Sequence, residues 1–141
     1  MPGYLLDTNV LSETRRKRAD PGVIQFLVGA DPDSLFLSVI NLGELHRGVV
    51  MQRREDPSAA RLLATWVRGI ELNFADRVLS VSPEIAIIWG TLSAAGNPPV
   101  ADTLIAATAL HHGLTLVTRN IKSVAKTSVA ILNPWSQLHR D

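Results

Sequence analysis

Cysteine is absent from the 141 residues, which excludes disulfides, thiolate metal sites and a thiol nucleophile. Aromatic residues make up only 5%, too few for a broad platform on which bases stack. Trp66, Trp89 and Trp135 therefore read as core or interface residues. No apolar run reaches the roughly 20 residues of a membrane helix. The segment MPGYLLDTN meets an acid too early for a leader peptide, so a cytoplasmic chain with no membrane partner is expected. Neither GxGxxG nor a Gly-Lys-Ser/Thr element follows the first apolar segment, which argues against a nucleotide-binding protein. Charge of one sign is missing too. Fourteen basic and 13 acidic residues leave a net charge of +1, and such a total does not by itself announce nucleic-acid binding.

The composition that remains, 46% hydrophobic and 19% charged, suits one globular domain over residues 1–141 with a single substantial core. Gly3-Tyr4-Leu5-Leu6 reads as a strand ending at Asp7. A helix is expected over Thr8 to Arg18, with Asp7 or Thr8 near its N-cap. Asp20-Pro21 starts a second helix, and Asp31-Pro32-Asp33 breaks it. Leu35-Phe36-Leu37 is a second strand, after which Ser38 or Asn41 opens a helix with Leu42, Leu45 and Val49 at helical spacing. Asp56-Pro57 and Ser82-Pro83 start two more helices, with a strand at Val78-Leu79-Ser80-Val81 between them. Ala101 to His112 is apolar nearly all round and should be a buried helix ended by Gly113. Thr115–Thr118 and Val129–Leu132 complete five strands. Short apolar strands alternating with helices indicate an α/β sandwich around a central, mostly parallel sheet. Ligands of such folds bind outside the carboxyl ends of the strands, and the chemistry-bearing residues of this chain map to that edge.

Asp7, Glu44 and Asp102 each rise out of apolar surroundings. Singly, Asp7 reads as a helix cap, Asp102 as an acid favoured by a helix dipole, and Glu44 as a solvent-facing residue beside a core stripe. At one sheet edge they become an oxygen-ligand cluster for Mg²⁺ or Mn²⁺. Thr8, Asn9, Thr118 and Asn120 bring short polar groups to the same edge, either to hold carboxylates, water or phosphate or as ordinary turn and cap residues. Arg15, Arg16, Lys17 and Arg18 form a basic run, which serves either as solvated cations at a helix C-terminus or as RNA or DNA phosphate contacts beside Asp7. The four histidines, His46, His111, His112 and His139, suggest no zinc site. Phe26, Leu27, Leu62, Leu63 and Trp66 either face the core or form a groove for a partner helix.

The segments LLDTNVLSE, SVINLGELHRGV, VADTLIAATALHHGLTLVTRN and VAILNPW resemble the PIN-domain ribonucleases, especially the VapC and FitB-like toxins of type II toxin–antitoxin pairs. The resemblance spans Tyr4 to Trp135. It implies a PIN-like three-layer sandwich and a Mg²⁺- or Mn²⁺-dependent endoribonuclease that hydrolyses RNA and is neutralised by a VapB-like antitoxin. It also implies a homodimer that meets operator DNA only through the antitoxin. The family's three leading acids correspond to Asp7, Glu44 and Asp102, its next polar residue to Thr8 or Asn9, and its TRN segment to Thr118, Arg119 and Asn120. Asp7 and Asp102 would be metal ligands, and Glu44 a ligand or a positioner of the attacking water. Such proteins usually follow TRN with an aspartate and an aromatic, where this chain has Ser123 and Val124. That departure leaves open whether one metal or two bind. It also raises the alternative of a catalytically weak module that binds RNA or antitoxin without efficient cleavage.

Overall fold

The structure, a computed structural model, describes residues 3–136. His139 lies outside the described residues. Five strands, β1 (Tyr4–Leu6), β2 (Leu35–Ser38), β3 (Val78–Leu79), β4 (Thr115–Val117) and β5 (Ile131–Leu132), form one sheet in the order β3-β2-β1-β4-β5. Every pairing is parallel, with Leu5 opposite Phe36 on one side and Leu116 on the other. Successive strand residues point to opposite faces, and the core divides accordingly. Leu6 and Val117 pack on one face with Val10, Val23, Leu45, Val49 and Val67. Leu5 and Leu116 pack on the other with Ile105, Ala106, Ala109 and Val124. Helices thus cover both faces, in the three-layer α/β sandwich expected.

On the first face lie α1 (Thr8–Glu13), α2 (Pro21–Gly29), α3 (Val39–Glu55) and α4 (Pro57–Asn73); α6 (Val100–His112) and the short α7 (Ile121–Val124) cover the second, with α5 (Pro83–Ser93) packed on α6. Asp20, Asp56 and Ser82 cap α2, α4 and α5 with side-chain oxygens, each followed by proline at the first helical position. α3 opens at Ser38: its hydroxyl accepts from the Asn41 backbone while Asn41 reaches back to the Ser38 N–H, so both residues the sequence offered take part in one capping box. β1 neighbours β2 on one side and β4 on the other, so the chain's crossovers diverge at β1. The crevice over the carboxyl ends of β1 and β4 is where such sheets receive ligands.

Three expectations change. The first helix ends at Glu13, not Arg18. Thr14, Arg15 and Arg16 each donate a backbone N–H to the carbonyl three residues back, a tightening that ends the helix. The buried Glu13 carboxylate then accepts the Asp20 N–H at 2.8 Å and draws the chain round into α2. Arg15–Arg18 therefore lie in a turn, not on a helix C-terminus. The second change is α7 with the 3-10 turn Ala125–Thr127, an element the sequence reading passed over. β3 and β5 are also two residues shorter than expected.

α6 stops at Gly113, whose φ of 65° is left-handed. Nothing lies near a Cβ placed there, so a substitution meets only the backbone penalty. Gly113→Ala is expected to lower the unfolding free energy by about 1 kcal/mol in urea titrations. An unchanged midpoint and slope would show that the left-handed cap contributes nothing.

Candidate functional site

Asp7 leaves the end of β1 with 9% of its surface exposed. A carboxylate held there has lost most of its water, and burial raises its pKa above the ordinary aspartate value. Two donors oppose that shift: the Thr118 hydroxyl gives Asp7 Oδ2 a bond of 2.7 Å, and the Thr8 backbone N–H gives Oδ1 another of 2.7 Å. Thr118 is fixed by β4, the strand beside β1, and is itself buried. The Asn120 N–H donates to Thr118 Oγ1 at 2.9 Å. Since an amide N–H only donates, the single hydroxyl proton of Thr118 is left for Asp7.

Thr8 repeats this logic on the other side. Its hydroxyl donates to Glu44 Oε1 at 2.7 Å and accepts from Asn41 Nδ2 at 3.0 Å. The orientation of the Asn41 amide is set in turn, because its Oδ1 accepts the Ser38 N–H at 2.8 Å. Asn41 is fully buried. Asp102, in the first turn of α6, joins from the far side through Asn120 Nδ2, 3.2 Å from its Oδ2. One hydrogen-bonded file thus runs Asp102–Asn120–Thr118–Asp7–Thr8 and branches at Thr8 to Glu44 and Asn41.

The three carboxylates are close enough to feel one another. Glu44, half-buried, has its pKa raised first by burial and then by the charges of Asp7 and Asp102, with the Thr8 hydrogen bond and, more weakly, Arg47 opposing. Asp102 likewise pushes the Asp7 value up. All-oxygen donors with mutual repulsion are what a hard divalent cation relieves. Among the described residues, however, no three His, Cys, Asp or Glu side chains converge tightly enough to close around one ion. The acids stand apart with Thr8, Thr118 and Asn120 between them, so an ion here would take some ligands from water or substrate.

The structure thus brings together Asp7, Glu44, Asp102, Thr8, Thr118 and Asn120. It does not bring in Asn9, whose Oδ1 is buried with no partner among the described residues. Nor does it bring in Ser123, which lines a separate cleft of 260 Å³ with Asn97, Pro98, Lys122 and Lys126. Val124, where an aromatic was expected, is a buried core residue. Of the histidines, His46 faces Glu71 at 2.8 Å and His111 packs on His112. Asn41 was foreseen only as a helix start. Its spacing of three from Glu44 on one helix, which places the two on a common face, was the available signal.

The basic run divides. Arg15 lies over Trp66, 5.4 Å from the ring centroid, in a groove of 330 Å³ that also includes Thr8, Ser12, Glu44, Leu45 and Leu63. Arg16 reaches both this groove and a second cleft, which holds Arg18. Lys17 is exposed. Of the apolar residues weighed as a groove, Leu63 and Trp66 line this one and Leu62 is exposed on α4, whereas Phe26 and Leu27 pack on the core.

Comparison with known proteins places these features in a family. The model of the PIN domain matches residues 4–127. Toxin FitB of Neisseria gonorrhoeae is 32% identical over 139 residues, covering 93% of this chain and 97% of that protein. VapC ribonuclease Y4jK of Sinorhizobium fredii is 30% identical over 145 residues, with 93% and 96% covered. The crystal structure of FitAcB from Neisseria gonorrhoeae superposes with a TM-score of 0.85, at 32% identity over 94% of this chain and 98% of that one. The structure of FitAB bound to an IR36 DNA fragment gives 0.84, at 30% identity over 98% and 99%.

The raised Asp7 and Glu44 values carry a linkage consequence for the metal-free protein. The folded state holds these protons more tightly than the unfolded one, so the ionised acids reduce stability above their raised pKa values. That penalty fades as pH falls through those values. In chelator, Asp7→Asn is therefore expected to melt higher than the parent at pH 7, with the gap closing on acidification. Added Mg²⁺ should raise the melting temperature of the parent and leave the variant unmoved. A variant less stable than the parent at pH 7 would contradict this account.

Proposed function

The chain belongs to the PIN-domain family, and on that premise we propose that it is a Mg²⁺- or Mn²⁺-dependent endoribonuclease, the toxin of a toxin–antitoxin pair. One observation carries the reading: the file of hydroxyls and amides that aims Asp7, Glu44 and Asp102 at the carboxyl edge of the sheet. The relatives' names, a VapC ribonuclease and a FitB toxin, support it.

A bound divalent cation supplies Lewis acidity toward the scissile phosphate and acidifies a water. Asp7 and Asp102 would hold the ion. Thr118 fixes the rotation of the Asp7 carboxylate and Asn120 that of Asp102, as outer partners of metal ligands do. Glu44, with its raised proton affinity and the Thr8 hydroxyl on one oxygen, has a second oxygen, unbonded among the described residues, to orient the attacking water and take its proton. Water adds to phosphorus as the bond to the leaving ribose oxygen breaks, and that oxygen takes up a proton. No histidine is needed.

A VapB-like antitoxin occupies the groove beside Glu44, where Leu63 and Trp66 offer apolar surface to a helix and Arg15 a cation to an acid. The toxin is a homodimer and reaches operator DNA through its antitoxin. The second reading, an RNA- or antitoxin-binding module that cleaves poorly, is favoured by the absence of a three-donor cluster among the described residues and by Ser123.

Cleavage of total cellular RNA by the purified, antitoxin-free chain separates the two. Discrete cuts are expected with Mg²⁺ or Mn²⁺ and none with chelator. Asp7→Asn should abolish them, and Thr118→Val should lower the rate about 10- to 100-fold. A folded protein that cuts no RNA under either metal would favour the binding module.

A further inference from the structure

Arg119 stands between Thr118 and Asn120, the two residues that hold Asp7 and Asp102, yet its own side chain turns the other way. Its guanidinium lies 5.3 Å from the centroid of the Trp135 ring. The two close one end of a cleft of 230 Å³ whose other walls are Glu13, Arg16, Arg18 and Asp20. Three guanidinium groups and two carboxylates share this cleft, but the acids are turned inward. Glu13 is 5% exposed; its Oε1 meets Arg16 at 3.3 Å and its Oε2 accepts the Asp20 N–H. Asp20 Oδ1 accepts backbone N–H groups of Gly22, Val23 and Ser136 at 2.9, 3.3 and 2.8 Å. Arg18 and Arg119 are exposed, and neither has a carboxylate partner among the described residues.

The cleft is held in shape. The Ser136 N–H bond to Asp20 fastens the segment carrying Trp135 across the start of α2. A Cβ on Gly22 would stand 2.3 Å from the Pro134 carbonyl oxygen, so glycine is what lets the two segments touch. Trp135 is therefore a fixed plate, and Arg119 is spread over it rather than loose in solvent.

We propose that this cleft binds a phosphate of the RNA strand next to the bond being cut, with Arg119 and Arg18 as its contacts and Trp135 holding the Arg119 fork in position. The proposal rests on the reading of the acids as an RNA-cleaving site. Guanidinium forks match phosphate oxygens two at a time, and an aromatic face beside phosphate contacts favours a nucleic-acid strand over an acidic peptide. Arg119 is bonded on either side to Thr118 and Asn120, so the cleft begins one residue from the acid file, on the side the Arg119 side chain faces.

The test uses the full chain carrying Asp7→Asn, which binds without cutting, and a fluorescein-labelled single-stranded RNA followed by anisotropy at several salt concentrations. Adding Arg119→Ala or Arg18→Ala should weaken binding about tenfold and lower the salt slope by roughly 0.7 for each lost phosphate contact. Arg119→Lys should keep the slope but not the affinity, and Trp135→Leu should behave likewise. Arg68→Ala, an exposed control on α4, should change nothing. In the otherwise unaltered chain, Arg119→Ala should retain the thermal shift with Mg²⁺, which separates phosphate binding from damage to the acid file. RNA affinity and slope unchanged in both arginine variants, while the parent still binds and cleaves RNA, would overturn the subsite alone. Loss of poly-glutamate binding without loss of RNA binding would assign the cleft to an acidic protein segment and overturn it too. A parent that neither binds nor cleaves RNA would remove the nuclease reading and this inference together.

Discussion

Asp7 ends the central strand of a parallel sheet with most of its water removed, and a lone carboxylate in that position costs several kcal/mol, on the order of the penalty for any buried ion. The sheet answers with neighbours rather than with a counter-charge. Parallel pairing of β1 with β4 sets Thr118 beside Asp7, and the turn into α1 supplies the Thr8 N–H. From those two residues the order spreads outward, through Thr8 to Glu44 and Asn41, and through Thr118 to Asn120 and Asp102. The offset is incomplete, since the Asp7 pKa stays above its ordinary value. A site with uncompensated negative charge is one that gains from a cation.

Much of this frame was legible beforehand because strong local signals and the global fold agree. Aspartate or serine before proline started α2, α4 and α5, and the nearly all-round apolar surface of Ala101 to His112 marked a buried helix. Asp7, Glu44 and Thr118 were legible as types placed after strands, and Asp102 as an acid in the first turn of a buried helix. Other features depend on long-range contacts that no local pattern carries. α1 stops early because Glu13, seven residues from its partner, bonds the Asp20 N–H. α7 was missed because Ile121–Val124 is one short turn whose only apolar anchor is Val124. Trp135 read as a core or interface residue, and only its contact with Arg119 reveals the cleft.

The early end of α1 has electrostatic consequences. Had the helix continued to Arg18, its last cations would have capped carbonyls along one axis. In the turn they fan out instead: Arg15 goes to the side of Glu44 and Trp66, and Arg18 to the side of Arg119 and Trp135, with Arg16 reaching both. Positive charge is thus concentrated in two clefts, one of them shared with Glu44, although the chain as a whole carries only +1. Local arrangement, rather than total charge, sets the field a polyanion would meet.

The Thr118–Asp7 hydrogen bond joins residues 111 positions apart. Closing such a span costs more chain entropy than a local contact, and non-local pairings of this kind slow folding. A nascent chain emerging from the ribosome holds Asp7, Thr8, Asn41 and Glu44 long before β4 exists to complete the file. Until Thr115–Val117 pairs with β1, the aspartate has no Thr118 hydroxyl beside it and no link through Asn120 to Asp102. An unfinished chain therefore lacks Thr118 and Asn120, and the file is complete only when most of the polypeptide has been made.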